Sequence, residues 1–355
     1  MMVLVGTYTE GTESEGIYVC SFDTQNGKLS IETTVRGVSN PSFLAVDASR
    51  DRLFAIGELS EHDGISEGVV SSFSINPSTM ELSLLNQKPC GGLEPCHISV
   101  DGDGRYVFVA NYNGGSVAML PVNPNGSLES GGCVVQHKGS SINPDRQDKP
   151  YAHSINIDPQ NRYALAADLG SDMIFVYKID ASSGTLIPND PPGTPIHAGA
   201  GPRHLCFGNG VVYLINELDA TICVLLYDED KGMLEPVQAL STLPSDYTGE
   251  KICADIHISP DGRFVYGSNR GHDSIAVFKV DEGDAGKLSP VGHVSTKGNC
   301  PRNFVIDPQG RFLLAANETS NDIVCFTIDA STGMLEYTGH KLEIPSPVCL
   351  KFRQP

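Results

Sequence analysis

The sequence predicts an all-β chain: a seven-bladed β-propeller of four-stranded antiparallel blades, occupying residues 1–355 as a single domain. Three observations carry that expectation. A short phrase returns at intervals of about fifty residues. Every copy lies among alternating apolar runs joined by turn-forming residues. The chain also begins and ends in the middle of a unit, so its two termini must complete one blade together.

The plainest copies of the phrase are SPDGRFVYGSN (259–269) and DPQGRFLLAAN (307–317). DGDGRYVFVAN (101–111), DPQNRYALAAD (158–168) and DRLFAIGE (51–58) repeat it, and GNGVVYLIN (208–216) is a degenerate copy. In each unit an apolar run precedes a turn rich in Asp, Pro, Asn and Gly, which supply turn dihedrals. A second run such as YVFVA and a third such as SIAVFKV follow, and a Gly-containing turn leads to a weaker fourth. The runs are rich in Val, Ile, Phe and Tyr, which favour strands. No stretch sustains a capped helical period. First strands are expected at 43–47, 97–101, 154–158, 204–208, 256–259 and 303–307, and a seventh, PVCLKF, at 347–352. The N-terminal runs MVLVGTY, GIYVCSFD and KLSIETTV supply second, third and fourth strands, so 347–352 should close the ring beside them and remove its open edge.

A net charge of −19, from 43 acidic and 24 basic residues, argues against nucleic acid or an anionic membrane surface as a partner, because both require a basic footprint. In so acidic a chain, clustered arginines stand out. No apolar run approaches the length of about twenty residues that a membrane helix needs. The ten cysteines include no CxxC pair, and Cys90 and Cys96 flank a Gly-Gly turn; reduced thiols and a cytoplasmic location are expected, with a cleaved leader in a longer precursor as the alternative. Histidines 97, 204 and 257 come from separate strands without local ligand spacing, so no metal and no cofactor is expected. A monomer or weak homo-oligomer is expected.

Residues that break the blade template indicate the site. The first strand of each blade lines the central channel, and its opening residue reads Ser42, Cys96, His153, Arg203, Ala254, Arg302 and Val348. One position past the end of the second strand the series is Tyr8, Leu59, Tyr112, Leu169, Glu217, Arg270 and Glu318. His153, Arg203, Glu217 and Arg270 come from successive blades and can meet at one mouth of the channel. The recurrent Asn or Asp at 111, 168, 216, 269 and 317 suits loop backbone groups. Two long polar loops, 137–153 and 241–257, border the same mouth, where binding residues commonly reside. Asn143, Arg146, Gln147, Lys149, Tyr151, Asp255, His257 and Asn269 are the expected substrate contacts.

The phrases HKGSSINPDRQDKPYAHS, GPRHL, NELD, SNRGHDSIAVF, PRNFVIDPQGRFLLAAN and PSPVCLKF together resemble the seven-bladed propeller lactonase family, which includes bacterial propeller-type 6-phosphogluconolactonases and fungal 3-carboxy-cis,cis-muconate lactonizing enzymes. The resemblance spans essentially the whole chain. It implies a lactone-opening or lactone-forming enzyme without a required cofactor, with its site on His153, Arg203, Glu217 and Arg270. Tyr151 and Asp255 depart from the family phrases, which often have His and Glu there.

The chemistry expected of these residues is hydrolysis of a small anionic sugar lactone or related carboxylate. His153 is the expected general base, and Arg203 and Arg270 the fixed cations for anionic groups and the developing oxyanion. Glu217 is expected to orient His153 or an arginine, and Arg146 with Lys149 to hold a phosphate at the rim. The alternatives are a muconate-type cycloisomerase and a propeller without catalytic activity that binds a partner.

Overall fold

The computed structural model describes residues 1–62, 64–281 and 283–353. Among these, seven separate four-stranded antiparallel sheets form the blades. Strands at 44–89, 95–136, 152–195, 202–241, 253–295 and 301–343 build blades two to seven in chain order. Blade one is composite. Met2–Thr7, Gly16–Phe22 and Leu29–Arg36 supply three strands, and Pro347–Arg353 supplies the innermost. Leu4 lies opposite Lys351 and Val5 opposite Leu350 in that closing ladder. A single 3₁₀ turn, Ala48–Arg50, is the helical structure present among the described residues.

The repeated phrase is explained by one hydrogen-bonding device. In three blades the aspartate that follows the inner strand turns its carboxylate onto two backbone N–H groups of the returning strand. Asp101 Oδ1 accepts from Arg105 and Tyr106 at 2.7 and 2.8 Å, Asp158 Oδ1 from Arg162 and Tyr163 at 2.7 and 2.9 Å, and Asp307 Oδ1 from Arg311 and Phe312 at 2.6 and 2.7 Å. Ser259 Oγ performs this at Phe264. The recurrent Asn or Asp at the other end ties the second strand to the segment that enters the blade. Asn269 Nδ2 donates to the Thr242 carbonyl at 2.8 Å, and Asp168 accepts from His137 at 2.7 Å. Between blades, fully buried side chains such as Tyr213, Tyr266, Phe54, Phe108 and Phe304 fill the core.

Four inner strands begin two residues before their expected starts and a fifth, at Cys253, three residues before, because the sequence pattern is interrupted there by a β-bulge. The pairing skips one residue between Pro95 and His97, Ala152 and Ser154, Pro202 and His204, and Pro301 and Asn303. An equivalent irregularity lies between Cys253 and Ile256, and another at Thr7 against the closing strand. A bulge leaves the extra residue out of the ladder and re-aims its side chain. Here the skipped residues include Cys96, His153, Arg203 and Arg302, so one backbone feature repeated around the ring delivers the template-breaking side chains to the axis.

Truncating the chain after Ser346 removes the inner strand of blade one and exposes the edge of Met2–Thr7. Circular-dichroism melts should then show loss of the cooperative transition and concentration-dependent aggregation; an unchanged melt would show that the ring does not need this closure.

Candidate active site

Glu217 is the centre of the site. Its backbone is fixed by a 2.7 Å bond from its N–H to the Gly201 carbonyl, and its side chain is 3% exposed. Three guanidinium groups converge on the carboxylate. Arg203 Nε approaches Oε2 at 3.0 Å, Arg270 Nη2 approaches Oε2 at 2.6 Å, and Arg146 Nη2 approaches Oε1 at 2.5 Å. Arg203 comes from the bulge of blade five, Arg270 from the loop after Phe264–Asn269, and Arg146 from the loop between blades three and four. Backbone carbonyls hold two of them. Arg203 Nη1 donates to Ala254 at 2.5 Å, and Arg270 Nε and Nη2 donate to Cys253 at 3.0 and 2.7 Å.

Burial pushes the Glu217 carboxyl up, but the attraction of Arg270, then Arg203, His153 and Arg146, overcomes it and holds the group well below its usual range. Burial together with Arg270 depresses Arg203 to about 10, which leaves it charged at neutral pH. Three cations against one carboxylate leave two uncompensated positive charges in a protein whose overall charge is −19.

His153 stands beside this hub, with Nε2 3.7 Å from Glu217 Oε2, beyond hydrogen-bond reach. Its Nδ1 lies 3.6 Å from Cys96 Sγ. The Cys96 thiol has carbonyl acceptors at His153 (3.2 Å) and Ala152 (3.6 Å), so its sulfur is left to receive Nδ1–H. That assignment places the proton on Nδ1 and an open lone pair on Nε2. Burial, reinforced by Arg203, holds the imidazole pKa well below 6.5 and keeps the ring neutral. The Tyr112 ring packs edge-on at 5.2 Å, and its hydroxyl receives Arg146 at 3.2 Å.

Below this layer the channel is filled. Asp255 accepts from His204 Nδ1 at 2.8 Å and His257 Nε2 at 2.9 Å, and Asn303 Nδ2 donates to it at 2.5 Å. His204 packs against His97 and Phe43, with centroids 5.4 and 5.5 Å apart. This network forms a floor. Asp255 is 3% exposed with its carboxylate fully engaged, and His257 lies two residues further along the strand, on the far side of Asp255. The structure thus places Asp255 and His257, both expected substrate contacts, in this network and not among the groups bonded to Glu217.

Three more expected contacts have structural duties. Asn269 is completely buried, bonded to Thr242 through both ends of its amide. Gln147, also completely buried, donates to the Leu169 carbonyl at 2.8 Å and accepts from the Asn143 N–H at 3.2 Å. Asn143 caps its own turn by accepting from the N–H groups of Asp145 and Arg146 at 3.1 and 3.2 Å. Together Asn143 and Gln147 shape the loop that presents Arg146. Lys149 and Tyr151 form the lip. Lys149 Nζ reaches the Asn113 carbonyl at 2.8 Å and lies 5.2 Å from the centre of the Tyr151 ring, while the Tyr151 hydroxyl donates to Asp148 at 2.8 Å.

The wall facing the hub was missed in part. Arg302 Nη2 donates to the Tyr8 hydroxyl at 2.7 Å, Tyr8 reaches Glu58 at 3.0 Å, and Ser42 Oγ donates to Glu58 Oε2 at 2.5 Å. Arg302 also approaches Glu318 at 3.5 Å. A small axial cavity of about 10 Å³, roughly the space of one water, is lined by His153 and Arg203 on one side and by Tyr8, Glu58 and Arg302 on the other. Glu58 was legible as a further template break: it occupies the position that Asn or Asp fills at 111, 168, 216, 269 and 317.

The model of the family described as "Lactonase, 7-bladed beta-propeller" matches residues 2–352. The chain belongs to this lactonase family. A relative from Bacillus subtilis strain 168, named 6-phosphogluconolactonase, is 38% identical over 350 residues, which cover 98% of this chain and 97% of the relative. Another so named, from Formosa agariphila, is 34% identical over 96% of both chains. The solved structure of a periplasmic gluconolactonase from Pseudomonas aeruginosa superposes with a TM-score of 0.91 at 35% identity, covering 99% of this chain and 98% of that one.

Replacing Glu217 with Gln strips the shared anion from three guanidinium groups and leaves buried cations uncompensated. The expected cost is about 3–5 kcal/mol in urea unfolding at neutral pH. Because the carboxyl is depressed below 4.5 in the folded protein, the difference between wild type and variant should be full above that pH and shrink as pH falls through the lower, folded-state value. A loss under about 1 kcal/mol, typical of a surface pair, would contradict the hub.

Proposed function

We propose that this chain is a lactone hydrolase of the 6-phosphogluconolactonase kind, opening a six-membered sugar lactone to its free acid. The observation that carries the reading is the axial pairing of a neutral, open His153 with a hub that retains two uncompensated positive charges. An arginine-rich mouth suits a substrate that bears a phosphate and yields a carboxylate. The names of the two curated relatives support the same substrate class.

Hydrolysis requires water at the lactone carbonyl carbon and stabilisation of the oxygen that becomes negative. His153 Nε2 takes the water proton. Arg270 and Arg146, less buried than Arg203, face the substrate's anionic groups, while Arg203 holds Glu217 and the local field in place. Lys149 adds charge at the lip, within reach of a terminal phosphate. Glu217, saturated by its three arginines and firmly ionised, spaces the cations and takes no proton. Among the described residues no helix is long and apolar enough to cross a membrane. A carboxylated muconate would meet the same cations, but the names of both curated relatives favour the sugar lactone.

Following proton release from freshly prepared 6-phosphogluconolactone tests this reading. Wild type should exceed the spontaneous rate, and His153→Ala should lower kcat by about 10²–10⁴-fold, the usual contribution of a positioned base. Since the working form of His153 is neutral and its pKa is depressed, the acid limb of the wild-type profile should lie below pH 6.5. No acceleration by wild type would remove the proposed activity.

A further inference from the structure

Base-assisted attack completes only half of a lactone opening. The ring oxygen leaves as an alkoxide, a poor leaving group unless it is protonated as the carbon–oxygen bond breaks. Of the groups assigned so far only His153 could supply that proton, and only after taking it from water, so that a single group would serve both the attacking and the leaving oxygen. The arginines are fixed cations, Glu217 is held ionised, and His153 begins neutral with an open lone pair.

Glu58 is the carboxyl that lines the axial cavity together with His153. It enters from blade two, at the end of Arg52–Gly57, and its backbone is pinned by a 3.1 Å bond from its N–H to the Asn40 carbonyl and a 3.2 Å bond from Asn40 Nδ2 to its own carbonyl. Ser42 and Tyr8 fix the carboxyl itself. The two walls differ in their electrostatics. Glu217 meets three guanidinium groups directly. Glu58 meets none directly, because the Tyr8 hydroxyl stands between it and Arg302. The charged groups acting on Glu58 are Arg302 and, with the opposite sign, Glu94; Glu318 shares Arg302, and Arg203 lines the same cavity. Burial dominates this balance and raises the Glu58 carboxyl above 4.5, opposite in direction to Glu217. Two carboxyls whose surroundings drive them apart mark separate acid and anion roles.

We propose that Glu58 is the general acid of the site, donating its proton to the lactone ring oxygen; this rests on the lactone-hydrolase reading above. Water forms its new bond to the carbonyl carbon and gives one proton to His153 Nε2. The bond from that carbon to the ring oxygen then breaks, and the oxygen takes the Glu58 proton to become a hydroxyl. The product acid releases its own proton to solvent. Transfer of the His153 proton to the Glu58 carboxylate, through water on the axis, restores both groups.

The experiment compares wild type, Glu58→Gln and Glu58→Asp on fresh 6-phosphogluconolactone across pH, with binding of 6-phosphogluconate measured by calorimetry. A general acid acts in its protonated form, so wild-type kcat should fall as pH rises through the Glu58 pKa. Glu58→Gln should bind 6-phosphogluconate within about threefold of wild type, lose at least about 10²-fold in kcat, and lose that alkaline limb. Glu58→Asp should recover part of the rate together with the limb. A Glu58→Gln enzyme with wild-type kcat, or with a lower kcat and an unchanged limb, overturns the assignment while leaving the lactonase reading intact. An inactive wild type overturns both.

Discussion

The site depends on one carboxylate shared by three guanidinium groups. Glu217, Arg203, Arg270 and Arg146 come from two blades and an inter-blade loop, and none is near another in sequence except Arg203 and Glu217. Mutual repulsion would drive three arginines apart in water. A buried anion between them offsets that repulsion, and the carbonyls of Cys253 and Ala254 fix two of the forks. The ring of blades limits the conformational cost, because Arg203 lies on a blade strand, Glu217 and Arg270 directly follow strands, and Asn143 and Gln147 brace the loop that carries Arg146.

The position between the two inner arginines, where an anionic substrate group would otherwise sit, is filled by Glu217 Oε2 itself. The surplus charge is therefore presented outward, through Arg270 and Arg146, and the deep Arg203 acts by holding the hub. The floor of His97, His204, Asp255 and Asn303 seals the channel below it. Desolvation around His153 follows from that seal, and it keeps the imidazole neutral and ready to accept a proton.

Much of this was legible in the sequence, for a specific reason. The Asp turn satisfies the same two backbone N–H groups in three blades and the buried Asn or Asp at the strand end ties down its neighbours, so they recur, and the recurrence gives blade number, closure and the axis. Against such regularity His153, Arg203, Glu217 and Arg270 stand out as exceptions. Spacing alone says nothing of depth along the channel. Asp255 and His257 lie on an inner strand as expected, yet bonded to each other in a separate network from the Glu217 hub, and Asn269 and Gln147 are consumed by backbone partners. Glu58 was overlooked because Glu in place of Asn resembles routine variation; only the third dimension shows that its longer side chain ends on the axis beside Tyr8 and Ser42. The bulges that aim Cys96, His153, Arg203 and Arg302 inward leave no mark in the alternating pattern except a strand that starts two residues early.

The most direct measurement of the central claim is a crystal structure of the protein soaked with 6-phosphogluconate. The account predicts that an anionic group of the product lies at the axial mouth, within about 3 Å of nitrogens on Arg270 or Arg146, while Glu217 remains bonded to Arg203. Product bound away from that mouth, or Glu217 released from the arginines while the product sits elsewhere, would contradict it.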